Sequence, residues 1–278
     1  MAIHSTRKRL IQAAAIALCA AAASSASAQT IYSQGFELDL SDSAVGPWSG
    51  GGVARVASGT GGIASAGGSF HAVSTGSATL GRWGGYNYGA GNAVPTVFQE
   101  YTTSIDIFLD VSGSLTNGTR FDFSSAINNA AGTHRRDFIF NAGFYTVTDA
   151  TGSAPRFVIS GGNNTQPGSA FPQNPGHSPI AITTTGWYTF EHHFYNNGGT
   201  LAVNMSITDA ANTVVGTWAL SDVSDLIGLI GGNRYAYFDF NEVTSGLAFD
   251  NATLTIIPTP AAAALLGLGG LMASRRRR

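Results

Sequence analysis

The chain has 278 residues, of which 36 are glycine and 11% are charged, and its formal net charge is −2. Its single cysteine, Cys19, excludes an intrachain disulfide and a cysteine-based metal site. The absence of a strong positive charge argues against nucleic acid as a partner.

The first 28 residues have the layout of a secretory signal peptide. Residues 7–9 are basic, residues 10–23 form an apolar run, and small residues follow. Ala26 and Ala28 fit the small-x-small rule, which predicts that signal peptidase cleaves before Gln29. The alternative, a first transmembrane helix, is disfavoured because the apolar run is too short. Export of the protein is therefore predicted.

Residues 29–257 form the predicted domain and read as an all-β structure. Glycine clusters such as "WSGGGV", "RWGGYNYGAGN" and "NNGGT" separate short stretches rich in Val, Ile, Thr, Phe and Tyr. Residues 100–111 alternate apolar and polar side chains, which predicts a strand with one packed face. Residues 186–210 read as a hairpin that turns at residues 196–199. Many short strands with glycine turns favour a β-sandwich.

Three further segments carry local predictions. Residues 135–147, "RRDFIFNAGFYTV", are apolar on both parities, as in a central strand, and the Arg135, Arg136 and Asp137 run suggests a surface ion pair. Residues 161–179 are rich in proline and glycine and predict a surface loop. Residues 221–228, "SDVSDLIG", suggest a short helix capped by its first serine.

The body resembles jelly-roll modules of the laminin-G and concanavalin type and the carbohydrate-binding modules related to them. The opening "YSQGFELD", the segment "GWYTFEHHF" with "LAVNMSITDAANTVVGTW", and the closing "GLAFDNATLTI" carry the resemblance. It implies a jelly-roll β-sandwich. It also implies a structural calcium held by the opening glutamate and the closing aspartate, which are Glu37 and Asp250 here.

The residues around Asp250 offer a simpler alternative to a metal. Asp250 shares parity with Ala248, Ala252 and Leu254, which suggests that it is buried. A buried carboxylate needs hydrogen-bond donors or a cation. Backbone N–H groups at a turn satisfy it as well as calcium does, and we favour that interpretation.

A glycine-rich loop holds the aromatic candidates for ligand binding. Trp83, Tyr86 and Tyr88 lie within "GRWGGYNYGAGN", beside Arg82 and Asn87. Aromatic rings next to amide and guanidinium groups suit stacking against a sugar. The alternative, that these rings close one end of the sandwich, is favoured.

The sequence offers weak support for an enzyme. Glycoside hydrolysis needs two carboxylates at a defined separation. The segment "SIDIFLD" is similar to the catalytic strand of laminarinase-like enzymes, but Ser104 stands at the nucleophile position. Asp106 and Asp110 would lie roughly 13 Å apart along the strand. We therefore predict no catalytic residues, with a glycoside hydrolase or lyase of concanavalin-like fold acting on exopolysaccharide as the alternative.

Residues 258–278 form the last predicted segment. Pro258, Thr259 and Pro260 precede a short run rich in Ala, Leu and Gly, which predicts a single hydrophobic helix, and the chain ends with Arg275, Arg276, Arg277 and Arg278. A helix of 13 residues rises only about 20 Å, which is short for a membrane span, but terminal arginines stay on the cytoplasmic side. With both basic ends set aside, the body holds seven arginines against 16 acidic residues, so its net charge is −9.

This tail is similar to the PEP-CTERM sorting signal of diderm bacteria, with Thr259 where the usual motif has glutamate. The resemblance implies a temporary anchor in the inner membrane, cleavage by an exosortase-type enzyme and delivery to the cell surface or extracellular matrix. The whole sequence thus predicts an exported, non-catalytic protein that is polysaccharide-binding or structural.

Overall fold

Short β-strands follow one another through the chain, as the glycine-punctuated sequence predicts. The structure, a computed structural model, describes residues 27–40, 48, 52–76, 80–83, 95–113, 115–164, 172–174, 177–239, 242–243 and 246–258. The strands are β1 (Gln29–Gln34), β2 (Val53–Ala57), β3 (Phe70–Ser74), β4 (Leu80–Trp83), β5 (Glu100–Leu109), β6 (Thr119–Asn129), β7 (His134–Tyr145), β8 (Arg156–Asn163), β9 (Ile180–Ile182), β10 (Gly186–Asn197), β11 (Thr200–Asp209), β12 (Val214–Leu226), β13 (Ile230–Asp239) and β14 (Ala248–Ile257).

The strands form two antiparallel sheets, which confirms the all-β prediction. Sheet A has eight strands in the order β12-β11-β10-β5-β14-β3-β2, with β1 also paired to β14. Sheet B has six strands in the order β4-β13-β6-β7-β8-β9. Strand β7 lies in the interior of sheet B between β6 and β8, so the prediction of a central strand there is confirmed.

The core lies between the two sheets and is built largely from phenylalanine. Phe140 of β7 meets Phe190 of β10 with ring centroids 5.3 Å apart, and Phe138 meets Phe194 at 5.4 Å. In β5 the odd-numbered side chains are buried and the even-numbered ones are half-buried, as the alternation predicts. Because successive side chains point to opposite faces, this strand contributes one row to the core and one to the outer side of sheet A.

The predicted hairpin is confirmed as β10 and β11. Asn197 pairs with Thr200, so Gly198 and Gly199 form a two-residue turn, with φ angles of +64° and +98°. Left-handed φ angles suit glycine in such turns. The return strand buries Leu201 and three other apolar residues on one face, which are Val203, Met205 and Ile207.

Three local predictions were wrong. Residues 221–226 continue strand β12, and only a short 3₁₀ turn at Ile227–Leu229 follows, because pairing with β11 continues to Leu226. The loop predicted from residue 161 starts later, since residues 161–163 complete β8. Arg135 and Arg136 form ion pairs with Asp225 of β12, whereas Asp137 pairs with His134.

The two ends of the chain fall mostly outside the described residues. Gln29 begins β1 and Pro258 follows β14, whereas the predicted signal segment up to residue 26 and the tail from residue 259 are not described. Within the described residues, no helix is long and apolar enough to cross a membrane.

Candidate functional site

The aromatic candidates lie at or beyond the edge of the described structure. Trp83 ends strand β4, where its backbone pairs with Ala236 of β13. Its side chain, together with Tyr86 and Tyr88, lies outside the described residues. The same holds for the processing residues Ala26, Thr259, Pro260 and Arg275 to Arg278. Ala28 precedes β1 directly and Gln29 is its first residue.

The carboxylates of Glu37 and Asp250 converge on one loop, formed by residues 64–69. Both Glu37 oxygens lie 3.0 Å from the backbone N–H donor of Ser69, and Oε1 also accepts a bond from Phe70 at 3.0 Å. Asp250 Oδ2 accepts the N–H of Gly67 at 3.1 Å. The two acidic residues, 213 positions apart in the sequence, therefore hold the same loop against β14.

Close contact with Glu37 explains the glycine at position 68. Gly68 has a φ angle of +60°, and a Cβ atom there would lie 2.3 Å from Glu37 Oε1. No side chain fits this gap, and glycine adopts the left-handed conformation without strain. The "SAGGSF" motif therefore binds the Glu37 carboxylate through backbone N–H groups.

Asp250 is fully buried, as predicted, but on the other side of sheet A from the one that its parity suggests. Phe249 packs against Phe238 of sheet B, at 5.2 Å, so the next residue points away from the core. Asn251 has a φ angle of +47° and interrupts the alternation before Ala252 returns to the core. Asp250 is buried because the 64–69 loop covers it.

The environment of Asp250 disfavours its ionised form. The pKa of this carboxyl is raised to about 7, mainly by burial and in part by the nearby Asp106, although the N–H groups of Gly67, Asn251 and Ala66 act in the opposite direction. The N–H of Asn251 donates to Oδ1 at 2.8 Å. Backbone donors thus satisfy Asp250, which is the alternative favoured by the sequence.

These contacts do not match a calcium shell. The oxygens of Glu37 and Asp250 face N–H groups, whose positive ends repel a cation. Across the part of the chain that the structure describes, no group of three or more acidic, cysteine or histidine side chains is placed to hold a metal. The structural calcium implied by the resemblance stays a prediction.

The outer face of sheet A, meaning the side turned away from sheet B, carries a continuous row of hydrogen-bonding side chains. Ser104 pairs with Glu191, Glu191 with Ser206, and Ser206 with Thr217, while Thr253 Oγ1 lies 2.8 Å from Ser104 Oγ. These residues belong to five neighbouring strands, so the row spans about 19 Å. A second row runs parallel to it through Thr102, His193 and Asn204.

Glu191 lies at the centre of this face with unused bonding capacity. Its side chain is half-buried, and it makes no hydrogen bond within the described residues. Burial raises the pKa of Glu191, and the neighbouring His193 partly opposes this shift. His193 itself pairs with Glu100 at 2.8 Å. A ligand with hydroxyl donors would therefore find a free acceptor at Glu191.

Half-buried aromatic rings lie at both ends of strand β10 on the same face. Tyr195 lies beside His193, with ring centroids 5.2 Å apart, at one end. At the other end Trp187 meets Phe108 edge to face at 5.4 Å, and its indole N–H donates to Ala64 O at 2.8 Å. Trp187 and Tyr195 are eight positions apart, which corresponds to about 27 Å along a strand.

This site was not predicted from the sequence, although one signal for it was present. Within β10, the outward set from Trp187 to Tyr195 occupies alternate positions and ends in aromatic residues. The alternation shows that these residues share one face of β10, but it does not show whether that face packs in the core or faces outward. The residues beside Glu191 belong to other strands, and the local pattern does not show which strands pair with β10.

Asp106 and Glu191 are diagonal neighbours on the outer face. Asp106 pairs with Thr189, two positions from Glu191, and diagonal residues on adjacent strands lie roughly 7–8 Å apart. The Asp106 carboxylate accepts hydrogen bonds from Thr189 Oγ1 at 2.5 Å and from the side-chain amide of Asn251 at 2.8 Å. The face therefore contains two nearby carboxylates, of which one is restrained and one is free.

Comparison with known proteins returns distant structural likenesses. No protein-family model matches the chain, and no curated protein matches it. The chain is similar to the CBM2 module of the evolved Dit protein of Lactobacillus casei BL23 phage J-1, at 10% identity and a TM-score of 0.38, over 84% of this chain and 97% of that one. It is also similar to a protein of unknown function from Shewanella oneidensis MR-1, at 12% identity and a TM-score of 0.42, over 84% and 88% of the two chains. Neither likeness assigns a ligand or an activity to this chain.

Proposed function

We propose that this protein is an exported, non-catalytic surface or extracellular-matrix protein that binds polysaccharide on the outer face of sheet A. The observation that carries the proposal is the row of Ser, Thr, Asn and Glu side chains between the aromatic residues Trp187 and Tyr195. Sugars present many hydroxyl groups beside apolar ring faces. Hydrogen-bonding side chains with flanking aromatic rings complement both features.

The charge of the outer face favours a neutral polysaccharide. Glu100, Asp106 and Glu191 face outward with His193 beside them, and the body is acidic as a whole. Anionic chains would be repelled by these carboxylates. The hydroxyl groups of a neutral glycan can instead donate hydrogen bonds to these carboxylates. Hydrogen bonds to a charged acceptor are stronger than those between neutral groups.

Export and sorting complete the proposal. The signal segment 1–28 would direct the chain to signal peptidase, and the tail 258–278 would anchor it in the inner membrane until an exosortase-type enzyme cleaves it. The sandwich would then reach the cell surface or matrix, where polysaccharide is present. We also propose that the sandwich is a jelly roll of the concanavalin and laminin-G type.

Binding to neutral polysaccharides tests the site. The purified protein should bind at least one member of a panel of cellulose, xylan, β-glucan, mannan and dextran, and it should not bind alginate. Tyr195→Ala should weaken binding at least tenfold, which is about 1.4 kcal/mol. The matched control is Tyr235→Ala on strand β13, because this tyrosine is half-buried and belongs to sheet B. Equal affinity in Tyr195→Ala and the wild type would remove the outer face as the site, and loss in Trp83→Ala alone would move the site to the 81–92 loop.

A glycoside hydrolase is the second candidate, favoured by the diagonal pair of Asp106 and Glu191. Backbone positions roughly 7–8 Å apart allow the two carboxyl groups to reach the separation of about 6.5–9.5 Å that inverting enzymes use. The raised pKa of Glu191 suits a general acid. Release of reducing sugar from a bound polysaccharide that disappears in Glu191→Gln would establish catalysis. Binding without any release supports the non-catalytic proposal.

The calcium implied by the resemblance remains a separate proposal. If Glu37 and Asp250 hold calcium, the melting temperature should rise when calcium replaces EDTA, because a ligand that binds only the folded state stabilises it. Glu37→Gln should abolish that rise. An unchanged melting temperature in the wild type would leave the N–H groups of the 64–69 loop as the partners of both carboxylates.

A further inference from the structure

Strand β12 forms one end of sheet A and leaves its outer backbone edge free. Within the described residues it has a single strand partner, β11. The pairing with β11 is regular from Gly216 to Ser221 and is interrupted on both sides of this stretch. Alternate residues of an edge strand direct their backbone N–H and C=O groups away from the partner strand. The stretch 216–221, named here the β12 edge, can therefore accept another strand.

The β12 edge lacks the features that usually protect a free strand. Its sequence, GTWALS, includes no charged side chain and no proline, and its exposed side chains are small, namely Thr217, Ala219 and Ser221. The other strands at the ends of the sheets are short or charged: β4 has four residues, β9 has three, and β2 has five and carries Arg55. Natural proteins blunt exposed edges in these ways because open backbone groups recruit further strands.

Exposed apolar side chains are concentrated around the same edge. Among the described residues, nine large apolar side chains are exposed, and five of them lie between residues 214 and 229. Val214 is 57% exposed before the β12 edge, and Val223 is 90% exposed after it. Clustered exposed apolar residues are typical of a protein interface.

The arrangement of these valines fits a second copy of the chain. Val214 and Val223 lie on opposite sides of the β12 edge, at equal distances in sequence from its middle. In an antiparallel pair related by a two-fold axis, Val214 of one copy would therefore lie close to Val223 of the other, and the contact would occur twice. The uncharged edges bring no like charges together at the axis. This surface is thus complementary to itself.

We propose that two copies of this protein pair through the β12 edge, antiparallel and related by a two-fold axis. The registers with the greatest overlap place Ala219 of one copy opposite or diagonal to Ala219 of the other. The two eight-stranded sheets then form one continuous sheet, with their outer faces side by side. One polysaccharide chain can then contact both faces. This consequence rests on the proposed function, whereas the pairing itself does not.

Sedimentation velocity tests the pairing without any glycan. The purified protein should form a reversible dimer as its concentration rises, at about 0.15 M salt to screen the repulsion between two acidic bodies. A monomer at every concentration up to the millimolar range would overturn the proposal. Ala219→Lys and Ala219→Glu should each weaken dimerisation at least tenfold, because like charges meet near the axis. Ala57→Lys, at the exposed end of strand β2, is the matched control and should dimerise as the wild type does.

Mixing the two charge variants decides whether the copies meet at this position. An equimolar mixture of Ala219→Lys and Ala219→Glu should recover dimers, since opposite charges then face each other across the axis. A misfolded variant could not be rescued in this way. Dimers that persist in Ala219→Lys, or charge variants that stay monomeric when mixed, would refute the β12 edge as the interface.

Two valine variants test the contact beside the β12 edge. Val214→Asp should weaken dimerisation at least tenfold, because it places a charge against an apolar side chain of the second copy. Val147→Asp is the matched control, since Val147 is 53% exposed and lies outside β12. Equal dimerisation of the two variants would contradict the antiparallel arrangement.

Discussion

His192 is a fully buried histidine in an aromatic environment. Its ring lies 4.8 Å from the rings of both Phe123 and Phe140, and burial lowers its pKa to about 3. The folded protein therefore keeps His192 neutral where the unfolded chain would protonate it at its ordinary value of 6.5. Its effect on the free energy of unfolding is absent above pH 6.5. Stability is lost as the pH falls from 6.5 towards 3, because only the unfolded state takes up the proton.

Replacing His192 by leucine should remove this acid sensitivity. Between pH 7 and pH 5, the wild type should lose about 2 kcal/mol more of its free energy of unfolding than His192→Leu does. Urea denaturation at both pH values measures this difference. His134→Gln is the control, because His134 is partly exposed and pairs with Asp137, and such pairs contribute less than about 1 kcal/mol. Parallel profiles of His192→Leu and the wild type would contradict the low pKa.

The turn between β10 and β11 depends on glycine for conformational reasons alone. Gly199 has a φ angle of +98°, and a Cβ atom there would meet nothing within 4 Å. Gly199→Ala should therefore lower the free energy of unfolding by about 1–2 kcal/mol through backbone strain. Gly228→Ala is the matched control, since Gly228 has equal space and no left-handed φ. Urea denaturation compares the two, and an equal cost would rule out strain as the cause.

The ion-pair cluster around Asp225 links strands from different sheets. Asp225 on β12 accepts bonds from Arg136 at 2.9 Å and from Arg135 at 2.6 Å, both on β7. The side chains of Asp225 and Arg136 are only 1% and 7% exposed. Removing one partner of a buried pair leaves the other charge without compensation, which costs more than the pair itself contributes.

Asp225→Asn should consequently lower the free energy of unfolding by about 3 kcal/mol. Glu242→Gln provides the comparison, because the Arg120–Glu242 pair is solvent-exposed and should cost less than about 1 kcal/mol. The double variant Arg136→Met with Asp225→Leu should recover part of the loss, since it removes both members of the most buried pair. Thermal and urea denaturation measure all three, and similar costs for the two single variants would contradict the role of burial.

Processing of the C-terminal tail, residues 258–278, should change both the length of the chain and its location in the cell. Cell fractionation should recover the wild type as a shortened form outside the inner membrane, because the proposed cleavage near Pro258 and Pro260 would remove the arginine-rich end. Replacing both prolines by alanine should leave the full-length chain in the membrane fraction. Pro172→Ala within the body is the control and should be processed normally. Equal processing of the double-proline variant would contradict the sorting proposal.

Local patterns predicted the framework of the molecule well. The alternation in β5 and the glycines between β10 and β11 identified a strand and a turn, because both depend on residues close together in the chain. The short helix predicted at residues 221–228 was wrong, because pairing with β11 outweighed the weak local preference. The prediction that Asp250 faces the core was wrong. The left-handed conformation of Asn251 interrupts the alternation of side chains along β14, so Asp250 lies on the outer side of sheet A.

By itself, the sequence determined the all-β class, the acidic body and the main hairpin, and it predicts export and sorting through the two ends. These properties depend on composition and on periodicity over a few residues. Only the tertiary structure decided which strands are neighbours, and therefore that Glu191 lies diagonal to Asp106 and that Glu37 and Asp250 hold one loop. The physical reason is that sheet pairing joins strands that are far apart in the chain, and no local period records which strands will meet.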